Sequence, residues 1–95
     1  MPAVTRIGDA DVTHCSGMTR AAGSSNVFVN GIGVSREGDN NTTHLLPGVP
    51  CPTHARPIGS GSSTVKVNGK GCGRVGDGIT ACTSVAAGSS NVFAG

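Results

Sequence analysis

Residues 8–14 read GDADVTH, residues 38–44 read GDNNTTH and residues 76–82 read GDGITAC. Each phrase opens on Gly-Asp and ends on a side chain able to ligate a borderline or soft metal: His14, His44 and Cys82. A phrase written three times in 95 residues is a repeat, and its surroundings repeat too. VTRI (4–7), VSRE (34–37) and CGRV (72–75) lead into it. GSSNVFVNG (23–31), GSSTVKVNG (61–69) and GSSNVFAG (88–95) follow it. From the Asn-Gly glycine to the next Gly-Asp glycine is seven residues both times, Gly31 to Gly38 and Gly69 to Gly76. From Gly-Asp to Gly-Ser-Ser the count is 15, 23 and 12 residues. The framework is fixed and one loop per repeat is free. The repeats span 4–31, 34–69 and 72–95 of a single domain over residues 1–95.

The repeat is written for strands. Ser-Asn-Val-Phe-Val-Asn alternates polar and apolar, the period of a half-buried strand. Asn-Gly at 30–31 and 68–69 is the dipeptide of tight hairpin turns. No stretch has a sustained helical period, so the expected class is all-β, built of short strands. With 16 Gly, two Phe and neither Trp nor Tyr, the apolar core must be thin. So small a domain buries a limited share of its surface, and a metal or a partner is expected to add stability.

Composition also excludes functions. The net charge is +2 and the seven basic residues are scattered without aromatic interleaving, which argues against a nucleic-acid surface. No apolar run is long enough to cross a bilayer as a helix. MPAVTRIGDADV lacks the charged start and apolar run of a secretory signal, so the expectation is a protein made and folded in a cytosol. The chain holds Cys15, Cys51, Cys72 and Cys82 and three His. In a reducing compartment this mixture points to metal, and outside one a disulfide is the other use.

Three equal units suggest pseudo-threefold symmetry, with His14, His44 and Cys82 at one level facing the axis. Tetrahedral zinc needs a fourth ligand. The middle repeat has the longest loop, and its LLPGVPCPTHARP segment carries Cys51 and His54 in C-x-x-H spacing. Either can be that ligand, and if Cys51 binds, Cys82 is the one displaced. Cys72 aligns with Val4 and Val34 and reads as a buried structural thiol; Cys15 also reads as structural. Asp9, Asp39 and Asp77 read as turn residues, paired with Arg6, Arg36 and Arg74, before they read as carboxylates orienting a ligand His. A catalytic zinc keeps an open position and a nearby base. Here four ligands are available and Glu37, the only Glu, stands before a Gly-Asp turn, so no enzyme is expected and no catalytic residue is assigned.

The succession GD, TH, GSxxVxVNG, GD, CPxH, GSxxVxVNGK, xxRVGD, TAC, GSxNVFxG resembles the PAAR-repeat family over nearly the whole chain, Val4 to Gly95. The Pro-Ala-Ala-Arg phrase itself is absent; NGIGVSREGD and NGKGCGRVGD keep its Asn-Gly, Arg and Gly-Asp. The resemblance implies a small pointed β-prism-like cone with a metal at its tip. The metal would be zinc, held by three His and one Cys, although iron suits the same donors. It matches His14, His54 and Cys82 to the family's ligand phrases, while His44 is assigned by the repeat within this chain. It implies a structural role: one copy caps and sharpens the trimeric β-helical needle of a contractile phage tail or a type VI secretion system. The needle is the partner and the target cell envelope a transient contact, with no nucleic acid or small-molecule substrate. Localisation would be a virion tail baseplate, or bacterial cytoplasm before export. The alternatives are a free-standing zinc-binding interaction module and a type VI effector-carrying adaptor.

Overall fold

Residues at equal offsets in the three repeats make the same hydrogen bonds with one another. The structure, a computed structural model, describes residues 1–13, 17–42, 55–80 and 82–95. At its centre three backbone amides close a ring. Thr5 N–H donates to Gly73 O (3.0 Å), Gly73 N–H to Ser35 O (2.9 Å) and Ser35 N–H to Thr5 O (3.1 Å). Antiparallel bridges Val4–Arg74, Arg6–Val34 and Arg36–Cys72 surround that ring in the same cyclic order. Each repeat therefore pairs with both others.

The only strands longer than one residue, among the described residues, form two hairpins. β1 (Phe28–Val29) pairs with β2 (Ile32–Gly33), and β3 (Lys66–Val67) with β4 (Lys70–Gly71), both antiparallel. Their turns put both central residues at positive φ, 55° and 76° at Asn30-Gly31 and 53° and 80° at Asn68-Gly69. Asn tolerates that region and Gly occupies it without strain, which is why Asn-Gly stands there. The third equivalent pairing joins the two ends of the chain: Ala3 bridges Phe93, and Ala94 N–H donates to Pro2 O at 3.0 Å. The described residues contain no helix, so the all-β expectation holds. Strands are shorter than the alternation suggests because each segment changes partner after one or two residues as it passes around the centre.

The Gly-Ser-Ser phrases tie the repeats together. Ser24, Ser62 and Ser89 are buried, and each Oγ accepts from the amide three residues on, at 2.9, 2.8 and 3.0 Å. Each hydroxyl then donates to another repeat's turn: Ser24 to Asn68 Oδ1 (2.7 Å), Ser89 to Asn30 Oδ1 (2.6 Å) and Ser62 to the Gly95 carbonyl. The Arg-x-x-Asp boxes repeat as closely. Asp9, Asp39 and Asp77 each accept from the backbone and side chain of Arg6, Arg36 and Arg74, with ion-pair distances of 2.9, 2.8 and 2.8 Å. Their carboxylates are thus committed to the turns.

The apolar core is divided. Val4, Val34, Val67, Cys72 and Ala94 form one cluster, against which Val29 and Val92 pack. Ile58, Ile79 and Val85 form another, joined by Val75 and Cys82. Neither phenylalanine enters; Phe28 is 57% and Phe93 51% exposed. The space near the centre is too narrow for a ring, as Gly73 makes plain. A Cβ there would lie 2.6 Å from Ser35 O, 2.8 Å from Ile58 Cδ1 and 2.9 Å from Thr5 Cγ2. The molecule is elongated, 40 × 23 × 22 Å, and the near-equal short dimensions fit a pseudo-threefold axis along the long one.

Gly73→Ala is expected to cost about 1–3 kcal/mol by overpacking, read from denaturant unfolding. Gly59→Ala is its control for glycine loss: there the nearest neighbour of a new Cβ is a side-chain tip, Thr80 Oγ1. A second outcome concerns Glu37, which stands where the other repeats have Ile7 and Val75. Its carboxylate accepts from Gly61 N–H (2.8 Å) and Gly71 N–H (3.2 Å), and these amides hold its pKa below the ordinary carboxylate value. Its contribution to stability is therefore present above the ordinary value and disappears as pH falls through the lowered one. The melting temperature of Glu37→Gln should lie below that of the parent at neutral pH, and the two should converge in acid.

Candidate metal centre

The three variable loops leave the fold from cross-bonded feet. Val12 N–H donates to Ser84 O (2.8 Å), Thr42 N–H to Thr19 O (2.8 Å) and Thr80 N–H to Pro57 O (3.0 Å), a second cyclic set joining each loop to the next. Bridges Ala10–Thr19, Arg20–Asn41 and Ile58–Ile79 lie beside it. The segments bearing the expected ligands thus start and end on one collar. His14, His44, His54, Cys51 and Cys15 lie outside the described residues. Among the described residues no three His, Cys, Asp or Glu side chains converge as a metal site.

Cys82 is the one expected ligand within the described residues. It is half-buried, forms no disulfide with another described residue, and packs on the Ile58–Ile79–Val85 cluster. Its amide donates to Ile79 O at 3.0 Å, which fixes the turn that carries it. Burial pushes the thiol above its ordinary pKa and Asp11 adds to the rise, while Asn41, Arg56 and Arg20 act the other way. Without a cation the thiol stays protonated at neutral pH; a bound metal would take it as the thiolate. A sulfur donor held between apolar packing and an amide fits a soft or borderline ion such as zinc. Cys72, the other cysteine among the described residues, is buried in the first cluster and serves packing, as its alignment with Val4 and Val34 implies.

Beneath Cys82 lies an arrangement that reading the motifs did not anticipate. Three positions before Gly-Ser-Ser stand Arg20, Ile58 and Val85; three after the Gly-Asp glycine stand Asp11, Asn41 and Ile79. All six are buried. Repeat 1 therefore places an ion pair where repeat 3 places two aliphatic side chains. Arg20 Nε lies 3.4 Å from Asp11 Oδ1, with both side chains fully inaccessible. Arg20 Nη1 also reaches Asp39 O at 3.4 Å, and Nη2 has no hydrogen-bond acceptor among the described residues. Burial works against this guanidinium's charge; Asp11, Asp39 and Cys82 offset it. Asn41 completes the layer, accepting from Arg56 N–H (2.9 Å) and donating to Met18 Sδ (3.1 Å) and, at the outer limit for sulfur, to Cys82 Sγ (4.0 Å). The signal was in the repeat: aligning inward from both fixed phrases exposes a charged pair where repeat 3 has two aliphatic side chains.

Arg20→Ile alone should cost about 3–5 kcal/mol, because it removes one member of a buried ion pair. The double variant Arg20→Ile/Asp11→Ile, which makes both positions aliphatic as they are in repeat 3, should recover most of that loss in thermal or denaturant unfolding. Comparison with known proteins finds no family model that matches the chain and no match among curated proteins.

Proposed function

We propose that this protein is the structural tip of a contractile injection machine, capping and sharpening a trimeric β-helical needle. The needle would be a phage tail baseplate spike or its type VI secretion counterpart. The observation that supports this best is the closed ring of Thr5, Ser35 and Gly73, with the cyclic bridges around it. A single chain with internal pseudo-threefold symmetry can match a threefold partner, one copy per trimer. A needle of three chains ends in unpaired strand edges, and such edges invite wrong pairing unless covered. The hairpin layer, with Val27, Val65 and Val92, would face those edges.

At the other extreme the three loops would converge to a cone's point, where little volume remains for a core. There His14, His44, His54 and one sulfur, Cys82 with Cys51 as its rival, would hold a single zinc. Four protein ligands leave no open position, which suits a structural site. When bound, the ion supplies cross-linking of the loops, and its binding energy becomes folding energy. The collar of bonds from Val12, Thr42 and Thr80 holds the loop feet together and limits the entropy lost when the loops close.

Two measurements test this. Metal analysis of purified protein should find one zinc per chain, and its removal or His14→Ala should lower the melting temperature. Mixing with the trimeric needle should give one chain per trimer by light scattering. A folded protein without metal would remove the zinc site from the proposal, and three chains per trimer would overturn the capping geometry.

A further inference from the structure

The pseudo-threefold symmetry is broken at one place in the hairpin layer. By position in the repeat, Ala94, Gly95 and Pro2 stand where repeat 1 has Val29, Asn30 and Ile32 and repeat 2 has Val67, Asn68 and Lys70. Asn-Gly turns join Val29 to Ile32 and Val67 to Lys70, but no turn joins Ala94 to Pro2. Residues opposed across a hydrogen-bonded antiparallel pair exchange both their backbone bonds. Ile32 and Lys70 bring an N–H to that exchange and Pro2 has none. The pair is left with Ala94 N–H to Pro2 O at 3.0 Å. The side-chain ties differ as well. Asn30 Oδ1 accepts from Ser89 Oγ (2.6 Å) and Arg6 Nη1 (3.0 Å), and its Nδ2 donates to Asn91 Oδ1 (2.9 Å). Asn68 is held in the same way by Ser24, Arg36 and Asn26. Gly95 has no side-chain carbonyl to offer Arg74, the equivalent of Arg6 and Arg36, and only its main-chain carbonyl accepts, from the Ser62 and Thr64 hydroxyls. Ala94 is also smaller than Val29 and Val67, so its burial in the first cluster contributes less.

We infer that residues 91–95 form a strap over Val4 that lifts from the fold while the central ring stays closed, because the strap lacks both a turn and the N–H that Pro2 cannot supply. The ring's bonds run between Thr5, Ser35 and Gly73 and do not pass through the strap, which holds Val4 N–H on Val92 O at 3.0 Å. Lifting uncovers Val4 and Ala94, both buried when it is closed, and leaves β1–β2 and β3–β4 paired. The hairpin layer therefore has two fixed sides and one that opens. A segment held by few bonds and little apolar area opens at a lower free energy than the whole fold.

Native-state amide hydrogen exchange tests this, and the symmetry supplies the controls. Val4, Val34 and Cys72 carry equivalent amides, which donate to the carbonyls of Val92, Val27 and Val65 at 3.0, 3.1 and 2.9 Å. The protection factor of Val4 should lie about 10–100-fold below those of Val34 and Cys72, the scale of one or two lost hydrogen bonds. Low denaturant should leave Val4 exchange unchanged, whereas Thr5 in the ring should follow the slope of global unfolding. Pro2→Ile restores the N–H present in repeats 1 and 2. It should raise Val4 protection about three- to tenfold and leave Val34 and Cys72 as they are. Equal protection at the three equivalent amides would overturn the inference, and so would a Val4 amide that follows the same denaturant slope as Thr5. Val4 protection unmoved in folded Pro2→Ile would overturn the role given to the missing N–H.

Discussion

Three backbone hydrogen bonds, between Thr5, Gly73 and Ser35, set the terms for everything else in this molecule. An amide buried at the meeting point of three strands must find an acceptor there, because water cannot reach it. A closed cycle gives every member both a donor and an acceptor, and it closes only if three segments arrive in the same conformation. That is a physical reason for the triplication. It also explains which residues are allowed. Thr5 and Ser35 are fully buried, and their hydroxyls donate to Ala87 O and Ala22 O at 3.0 Å, so they bring no unsatisfied group inward. The third position has no room for a Cβ and is glycine.

Around this constraint the stability is spread over many small terms. The apolar clusters contain nothing larger than isoleucine, and burying each such side chain contributes about 1.5–3 kcal/mol before entropy is counted. The Ser hydroxyls and the Arg-Asp boxes substitute for bulk. The hydroxyls link repeats to one another, and the boxes hold each Gly-Asp turn in shape. An interior so dependent on polar bonds tolerates few errors, since each unpaired donor costs more than a made bond contributes. That is why Arg20 stands out.

Much of this was legible. The Gly-Asp and Gly-Ser-Ser phrases, the Asn-Gly turns and the buried role of Cys72 follow from spacing and local chemistry, and the Arg-Asp pairing follows from i,i+3 placement. What escaped was the identity of strand partners. Alternation around Val27 and Phe28 says which residues share a face, but the pairing of Arg6 with Val34 and Arg36 with Cys72 depends on closure around a centre, which no local pattern encodes. The Arg20–Asp11 pair escaped for a different reason. Each residue alone has a surface composition, and only its repeat equivalents, Ile58 and Val85 for Arg20 and Ile79 for Asp11, reveal that the position is interior. At the candidate metal centre, the sequence supplies donor types and spacing, and the structure adds the collar of loop feet and the surroundings of Cys82.

Internal repetition and chemical inequality work together here. Three identical chains on a threefold axis would have to place identical side chains at every level. One chain with three repeats keeps the backbone ring symmetric and varies what the ring carries. At one level that freedom gives Arg20, Ile58 and Val85, and at the next Asp11, Asn41 and Ile79. A guanidinium meets a carboxylate within a single interior only because the repeats differ. The ring makes the three positions geometrically equivalent, and sequence divergence puts a buried ion pair in one repeat where another holds two aliphatic side chains.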